Sequence, residues 1–363
     1  GTVRIVASAA ALLAGCYGST SVGDDGDHAG DVADGAPDTV EDRPDFAEAR
    51  ADADADEARG EAEEGTAEDE GDHVVSCSRT DDCSQGSRCI GGYCSVVLPT
   101  LGATGADMTC LRDNPPPVPG VGTIGITAYV EDFQDEYRVQ GATIDFFFDD
   151  VVDGSPDATV GPTDSAGEVR VGGVPRDNLI AYRVRGGDLP DGRVKETIEY
   201  DIRTPTADGA ALRLLSVSDM TYRLIPTILG ITPDAGHGVV LGEFDDCAGN
   251  PVEGFVVRFL TETGEDCHVL HERECFARYF QDGYPSRIDN QPYSSADGLF
   301  AMVQVPPGTW TAQVLGRLTD DTATYPYDLL GEKRVAADAD AIVIMRVEVL
   351  PECSCTSTSP PPP

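Results

Sequence analysis

The sequence predicts an all-β body of two tandem β-sandwiches, set behind a disordered acidic tether and a small disulfide-rich knot. Three observations carry this. Gly (40) and Pro (25) are plentiful and only 40% of the 363 residues are apolar, a composition that favours turns and short strands over long helices. Ala142, Ile144 and Phe146 alternate with polar neighbours, as do Phe255, Val257 and Phe259, the period-2 signature of strands with one buried face. These two sets belong to an internal repeat. Ile126–Phe148 aligns with Val239–Thr261 at a shift of 113, a spacing that suits one sandwich per copy.

Charge and cysteine content bound the function. With 65 acidic and 25 basic residues, the net charge is −40 and the pI about 4.1. Nucleic acid is excluded as a partner, because phosphate binding needs clustered Lys and Arg. Eleven cysteines fit an oxidising compartment.

Residues 1–15 read as a signal peptide. Arg4 precedes an apolar run, Ile5–Ala14, of about half the roughly 20 residues a spanning helix needs. It ends in Leu13-Ala14-Gly15-Cys16, which resembles a bacterial lipobox. Small residues there fit a peptidase cleft, and the Cys16 thiol supplies the sulfur that accepts a diacylglyceryl group. The resemblance implies a protein held to the outer membrane through an N-terminal lipid on Cys16, facing the periplasm or the cell exterior. Tyr17 stands where an inner-membrane retention signal would have Asp.

Residues 16–75 form the tether. Thr20–Val75 holds 21 Asp and Glu against Arg43, Arg50 and Arg59, with Phe46 as its only aromatic. Such a segment buries too little apolar surface to offset chain entropy. Asp52, Asp54, Asp56 and Glu63 mimic calcium-loop spacing, but Glu57 occupies the position that needs Gly.

Residues 76–112 comprise a cysteine-rich segment and a linker. Cys77, Cys83, Cys89 and Cys94 lie within 18 residues, too few for a core, so disulfides are expected to hold the segment, in any of three connectivities. Cys267 and Cys275 bracket His268, His271, Glu272 and Glu274. Two thiols and two imidazoles are enough for a tetrahedral metal, yet a disulfide closing this short loop is the expectation in an oxidising compartment. Cys110, Cys247, Cys353 and Cys355 complete an even set once Cys16 is lipidated.

The body spans 118–232 and 235–350, followed by a Cys/Ser/Thr/Pro-rich tail, 351–363. Gly167–Pro175 matches Gly298–Pro306 at a shift of 131, so the second copy carries an insertion. Its Asp246–Gly254, Gly298-Leu299-Phe300 and Val305–Trp310 resemble the pattern of carboxypeptidase-regulatory-like, or transthyretin-like, domains, departing at Ser295 where that pattern has Asp. The first copy keeps Val139–Ala142, Asp164, Gly167 and Val174-Pro175. The resemblance implies Ig-like sandwiches that are mostly non-catalytic modules.

Catalytic signatures are absent or false. Gly120–Gly125 matches GxGxxG literally, but a β-run follows where a phosphate site needs a helix. There is no GxxxxGK[ST] and no GxSxG. Asp149-Asp150 and Asp245-Asp246 read as solvated loop-edge acids. The chain is therefore expected to be no enzyme, with no cofactor and no metal, and to bind an unknown protein or glycan or to act as a spacer. Glycan binding would need an exposed aromatic row, for which Trp310, Tyr279, Phe280, Tyr284 and Tyr293 are the candidates. A metal-dependent enzyme would use His268 and His271. Leu260–Tyr293, the region around the insertion, is the expected recognition surface, held by a Cys267–Cys275 disulfide, since loops on a rigid sandwich can vary without disturbing the core.

Overall fold

A computed structural model describes residues 87–90, 93–113, 118–189, 192–229, 231, 234–270, 274–286, 291–319 and 327–350. Cys16, the tether, Cys77, Cys83, His271, Cys353 and Cys355 lie outside the described residues. A hairpin, β1 (Ser87–Ile90) and β2 (Tyr93–Val96), places Cys89 opposite Cys94.

The first copy folds into β3 (Thr123–Asp132), β4 (Thr143–Phe147), β5 (Ala158–Val160), β6 (Glu168–Pro175), β7 (Leu179–Arg185), β8 (Asp188–Leu189), β9 (Gly192–Lys195), β10 (Thr197–Arg203) and β11 (Ala211–Ser218). The second folds into β12 (Gly238–Phe244), β13 (Val256–Leu260), β14 (Phe276–Gln281), β15 (Tyr284–Pro285), β16 (Leu299–Val305), β17 (Gly308–Gly316), β18 (Asp328–Ala337) and β19 (Ile342–Val347). Short helices are α1 (Leu101–Thr104), α2 (Asp219–Ile228) and α3 (Cys267–Leu270). α2 starts where the Ser218 side chain accepts from the Thr221 N–H, a side-chain N-cap. No helix among the described residues is long and apolar enough to cross a membrane.

The two copies share one topology. In the first, β6-β3-β11 face β4-β7-β10; in the second, β16-β12-β19 face β13-β17-β18. The pairing senses match: β3–β11 and β12–β19 are parallel, the others antiparallel. The hydrogen bonds correct the sequence alignment by one residue. Asp132 accepts from the N–H groups of Gln134 and Asp135, and Asp246, not Asp245, does the same for Ala248 and Asn250. The turn after Asp246 is one residue shorter, so the shift is 114 in β12 and 113 beyond it.

The sandwiches are tandem but not separate. β10 of the first pairs in parallel with β19 of the second, Thr197–Glu199 against Ile342–Ile344. This fuses two sheets into one of nine strands, β15-β14-β16-β12-β19-β10-β7-β4-β5. The second core, around Phe244, Phe255, Phe300 and Leu330, therefore also takes in Ile198 and Tyr200 from β10. A third apolar cluster packs Tyr222 of α2, Leu229 just after it, and Leu215 and Val217 of β11 on the outer face of β12, β16 and β19. β12 is buried throughout because both its faces are covered, whereas β3 alternates.

Residues 96–113 are held on the second sandwich, although the first follows them in sequence. Leu98 and Leu101 are fully buried. The Leu101 N–H donates to the Arg317 carbonyl at 2.8 Å, and Arg317 donates to the Leu98 carbonyl at 2.7 Å. The Asp107 N–H donates to Asp246 at 3.0 Å, the Arg112 N–H to the Leu350 carbonyl at 3.0 Å, and a Cys110–Cys247 disulfide closes the attachment.

Candidate functional site

The insertion that distinguishes the second copy contains a strand that joins the sheet. This strand, β14, adds to the outer edge of β16, with Phe276 opposite Val303 and Tyr279 opposite Phe300. Alternation sends Tyr279 inward, where its hydroxyl accepts from the Val257 N–H at 3.0 Å and its ring meets Phe255 edge-on. That bond occupies a donor on the edge strand β13. Cys267 and Cys275 are buried and disulfide-bonded. The His268 N–H donates to Asp266, its Nδ1 lies 3.1 Å from the Glu274 carbonyl, and Glu274 also holds His237 Nε2 at 2.9 Å.

The five rings do not form the exposed row that glycan binding would need. Tyr279, Phe280 and Trp310 are buried, and the Trp310 indole N–H is spent on the Pro306 carbonyl at 2.9 Å. Tyr293 is half-buried, and Tyr284, 46% exposed, is the one open ring of the five. With both thiols in a disulfide, the tetrahedral site drawn on Cys267, His268, His271 and Cys275 has lost its sulfur ligands. No cluster of three His, Cys, Asp or Glu among the described residues could hold a metal. Among the described residues of the insertion, Val269 (71%) and Leu270 (43%) of α3 face solvent, as do residues 262–265, Gln281, Asp282 and Tyr284.

Of the two acidic pairs, only Asp149 is a solvated edge. Asp149 is exposed, but Asp150 is half-buried and Asp245 and Asp246 are buried. Each has a structural partner. Lys333 of β18 reaches across the junction to both Asp150 and Asp201, the latter at 2.6 Å. The Asp201 N–H donates to Asp150 at 2.8 Å, and the Asp201 carboxylate accepts from the Arg346 N–H at 3.2 Å. Asp201 stands at a bulge with φ 63°, so its side chain continues the joint with β19 where the main-chain ladder stops. Arg346 in turn pairs with Glu243 at 3.3 Å and Asp245 at 3.2 Å.

Burial, then repulsion from Asp150, pushes Asp201 up to about 7 against the pull of Lys333. Burial, then Asp245, pushes Glu243 up to about 7, and burial also raises Asp245. Burial lowers Lys333, but Asp201 and Asp150 outweigh it and hold the ammonium charged. Burial raises Asp246 too, yet the N–H groups of Asn250, Asp107 and Ala248 prevail and keep it low. Glu199, fully enclosed, is raised to about 7 by burial although the Tyr182 hydroxyl donates to it. These charged groups are committed to one another across strand junctions, an arrangement that fixes geometry.

Two residues absent from the sequence reading repeat with the fold. Thr163 Oγ1 accepts from the Ala142 N–H at 3.0 Å and donates to the Val139 carbonyl at 2.6 Å. Ser294 Oγ accepts from the Phe255 N–H at 3.0 Å and donates to the Val252 carbonyl at 3.2 Å. Both are buried, and both sit one residue before the Asp164 or Ser295 turn that Gly167 or Gly298 closes at positive φ. The signal was a hydroxyl residue at the same place in both copies.

Fold and site together define a class: a disulfide-stapled pair of β-sandwiches that share one sheet. No family model matches the chain, and no curated protein matches it. Among solved structures, the Bacillus anthracis TIE protein matches at 12% identity over 63% of this chain and 34% of its own, with a TM-score of 0.19. This chain thus spans about a third of that protein's length. Shaft pilin SpaA from Lactobacillus rhamnosus GG matches at 13% over 63% of this chain and 98% of its own, TM-score 0.19. A variant of BcpA, the major pilin subunit of Bacillus cereus, matches at 9% over 61% and 98%, TM-score 0.19. Superpositions this weak carry no argument, and the fold class rests on the strands described above.

Proposed function

We propose that the chain is a lipid-anchored cell-envelope protein whose fused sandwiches form a rigid, non-catalytic module for binding or spacing. One observation carries the reading. The segment that leaves the tether is fastened to the second sandwich at Leu101, Asp107 and Cys110, and Leu350 meets Arg112 at the same place. Strain arriving from an anchor at Cys16 would enter the second sandwich directly. The first would be carried as a lobe closed off by the Cys110–Cys247 bond, free to meet a partner. The commitment of Lys333, Arg346 and their acids to structural pairs agrees with a scaffold role. The test is metabolic labelling with a fatty acid, followed by membrane fractionation, of the chain and of Cys16→Ser. Label and membrane association should both be lost in the variant; unchanged label would overturn the anchor.

A further inference from the structure

The repeat exposes an asymmetry. In the second copy, β16 has a strand on each side, β12 and β14. In the first, the equivalent β6 pairs with β3 alone, and among the described residues no strand pairs with its other edge. β5, in the facing sheet, approaches β6 without pairing with it.

The two edges are the same construction. Gly167 and Gly298 each offer a carbonyl to the neighbouring strand, to Val130 at 3.0 Å and to Phe244 at 3.1 Å. Gly173 and Gln304 share a positive φ at the far end, at the shift of 131 that also relates Gly167 to Gly298. Ala301 and Val303, which lie opposite Arg278 and Phe276 of β14, thus correspond to Arg170 and Gly172. In the β3–β6 register, antiparallel alternation turns the main-chain groups of Gly167, Val169 and Val171 towards β3 and those of Arg170 and Gly172 outward. Glu168 also faces outward but is already satisfied: its N–H donates to the Asp164 side chain at 3.0 Å and its carbonyl accepts from the Asp164 N–H at 3.1 Å. The face of the sheet beside this edge is open too, since a Cβ built on Gly172 or Gly173 meets nothing within 4 Å. Glu168, Arg170, Gly172 and Gly173 are all exposed.

We propose that the outer edge of β6 is a strand-acceptor site that takes an extended, antiparallel segment of a partner protein. β14 shows what such a segment needs. Its Ala277 and Tyr279 turn inward beside Met302 and Phe300, so the partner is apolar opposite Val171 and Val169, which belong to the first core. Opposite Arg170 it carries an acidic residue, because Arg170 is an exposed cation and a cross-strand ion pair adds specificity. Main-chain hydrogen bonds supply affinity and the alternate side chains supply choice. A second copy of this chain is the poorer occupant, since two chains of net charge −40 repel.

The proposal rests on the reading of the body as a binding module, and its test is independent of the lipid. The probe is a synthetic peptide of residues 274–282 with Cys275→Ala and Arg278→Glu, titrated into the full, oxidised, isotope-labelled chain. The Arg170 and Gly172 amide resonances should shift, and their hydrogen exchange should slow at least tenfold. The same peptide N-methylated at positions 276 and 278 removes the donors without touching the protein fold, and should bind at least tenfold more weakly. Equal binding of the N-methylated peptide would overturn the site. So would unmoved Arg170 and Gly172 amides, shifts confined to β16, or concentration-dependent dimers in sedimentation that block the edge. A failure here with the lipid label on Cys16 intact sinks the acceptor site alone.

Discussion

Replacing Cys110 and Cys247 together by Ala should destabilise the body chiefly through its unfolded state. Their bond spans 137 residues, and the whole first sandwich lies inside the loop it closes. Chain-entropy theory assigns such a loop about 5 kcal/mol at 25 °C, against roughly 2.5 kcal/mol for the 8-residue span of Cys267–Cys275. Both Cys110 and Cys247 are half-buried, so little packing is lost with the sulfurs. The attachment also keeps its hydrogen bonds from Asp107 to Asp246 and from Cys247 to Asp107. The folded state should therefore change little, and the effect should lie in the unfolded chain. Urea denaturation of the oxidised protein reads this directly. The variant should lose about 3–5 kcal/mol, with a steeper denaturant dependence because its unfolded state expands further. A loss below about 1 kcal/mol would refute the reasoning and mean that residues 96–113 do not hold the body closed.

Thr163→Val keeps the shape of the side chain but strips the buried Ala142 N–H and Val139 carbonyl of their partner; a loss of about 2–4 kcal/mol is expected by thermal melting, with Ser294→Ala close behind. Lys333→Met should cost about 3–5 kcal/mol by leaving Asp150 and Asp201 buried without their cation, and Asp150→Asn in the same chain should restore part of it in chemical denaturation. Stability should also fall as pH rises from about 5 to 8. Glu199, Glu243 and Asp201 are raised to about 7, so their contribution is complete below the unfolded carboxylate range and is lost through pH 7. Glu199 sits among Tyr182, Arg213 and Asp201, and Glu199→Gln should flatten the dependence of the melting midpoint on pH.

The sequence carried β3 plainly, because it presents one face to a core and alternates accordingly; β4 is buried on both faces, with Ile144 and Phe146 in the first core and Phe147 in the second. β12 is a plainer apolar run, since α2 and β11 cover its second face, and periodicity cannot report that. The insertion was read as a loop because it has no counterpart in the first copy; Phe276–Gln281 is instead a strand whose pairing depends on β16, a residue span away. The Cys110–Cys247 bond was illegible for the same reason, since nothing local announces a partner 137 residues off. The alignment erred by one at Asp245 because two adjacent acids look alike until their hydrogen bonds are drawn: Asp246 caps the turn and Asp245 faces Arg346. The buried acids were mistaken for solvated ones because an acidic composition hides the few that find a cation.

The two sandwiches share one nine-stranded sheet through β10 and β19, and differential scanning calorimetry of the full oxidised chain tests most directly whether they unfold as one body. The shared sheet, the Lys333 clamp and the residues of β10 in the second core predict a single transition whose calorimetric and van't Hoff enthalpies agree. Two resolved transitions, one for each copy of the repeat, would contradict it.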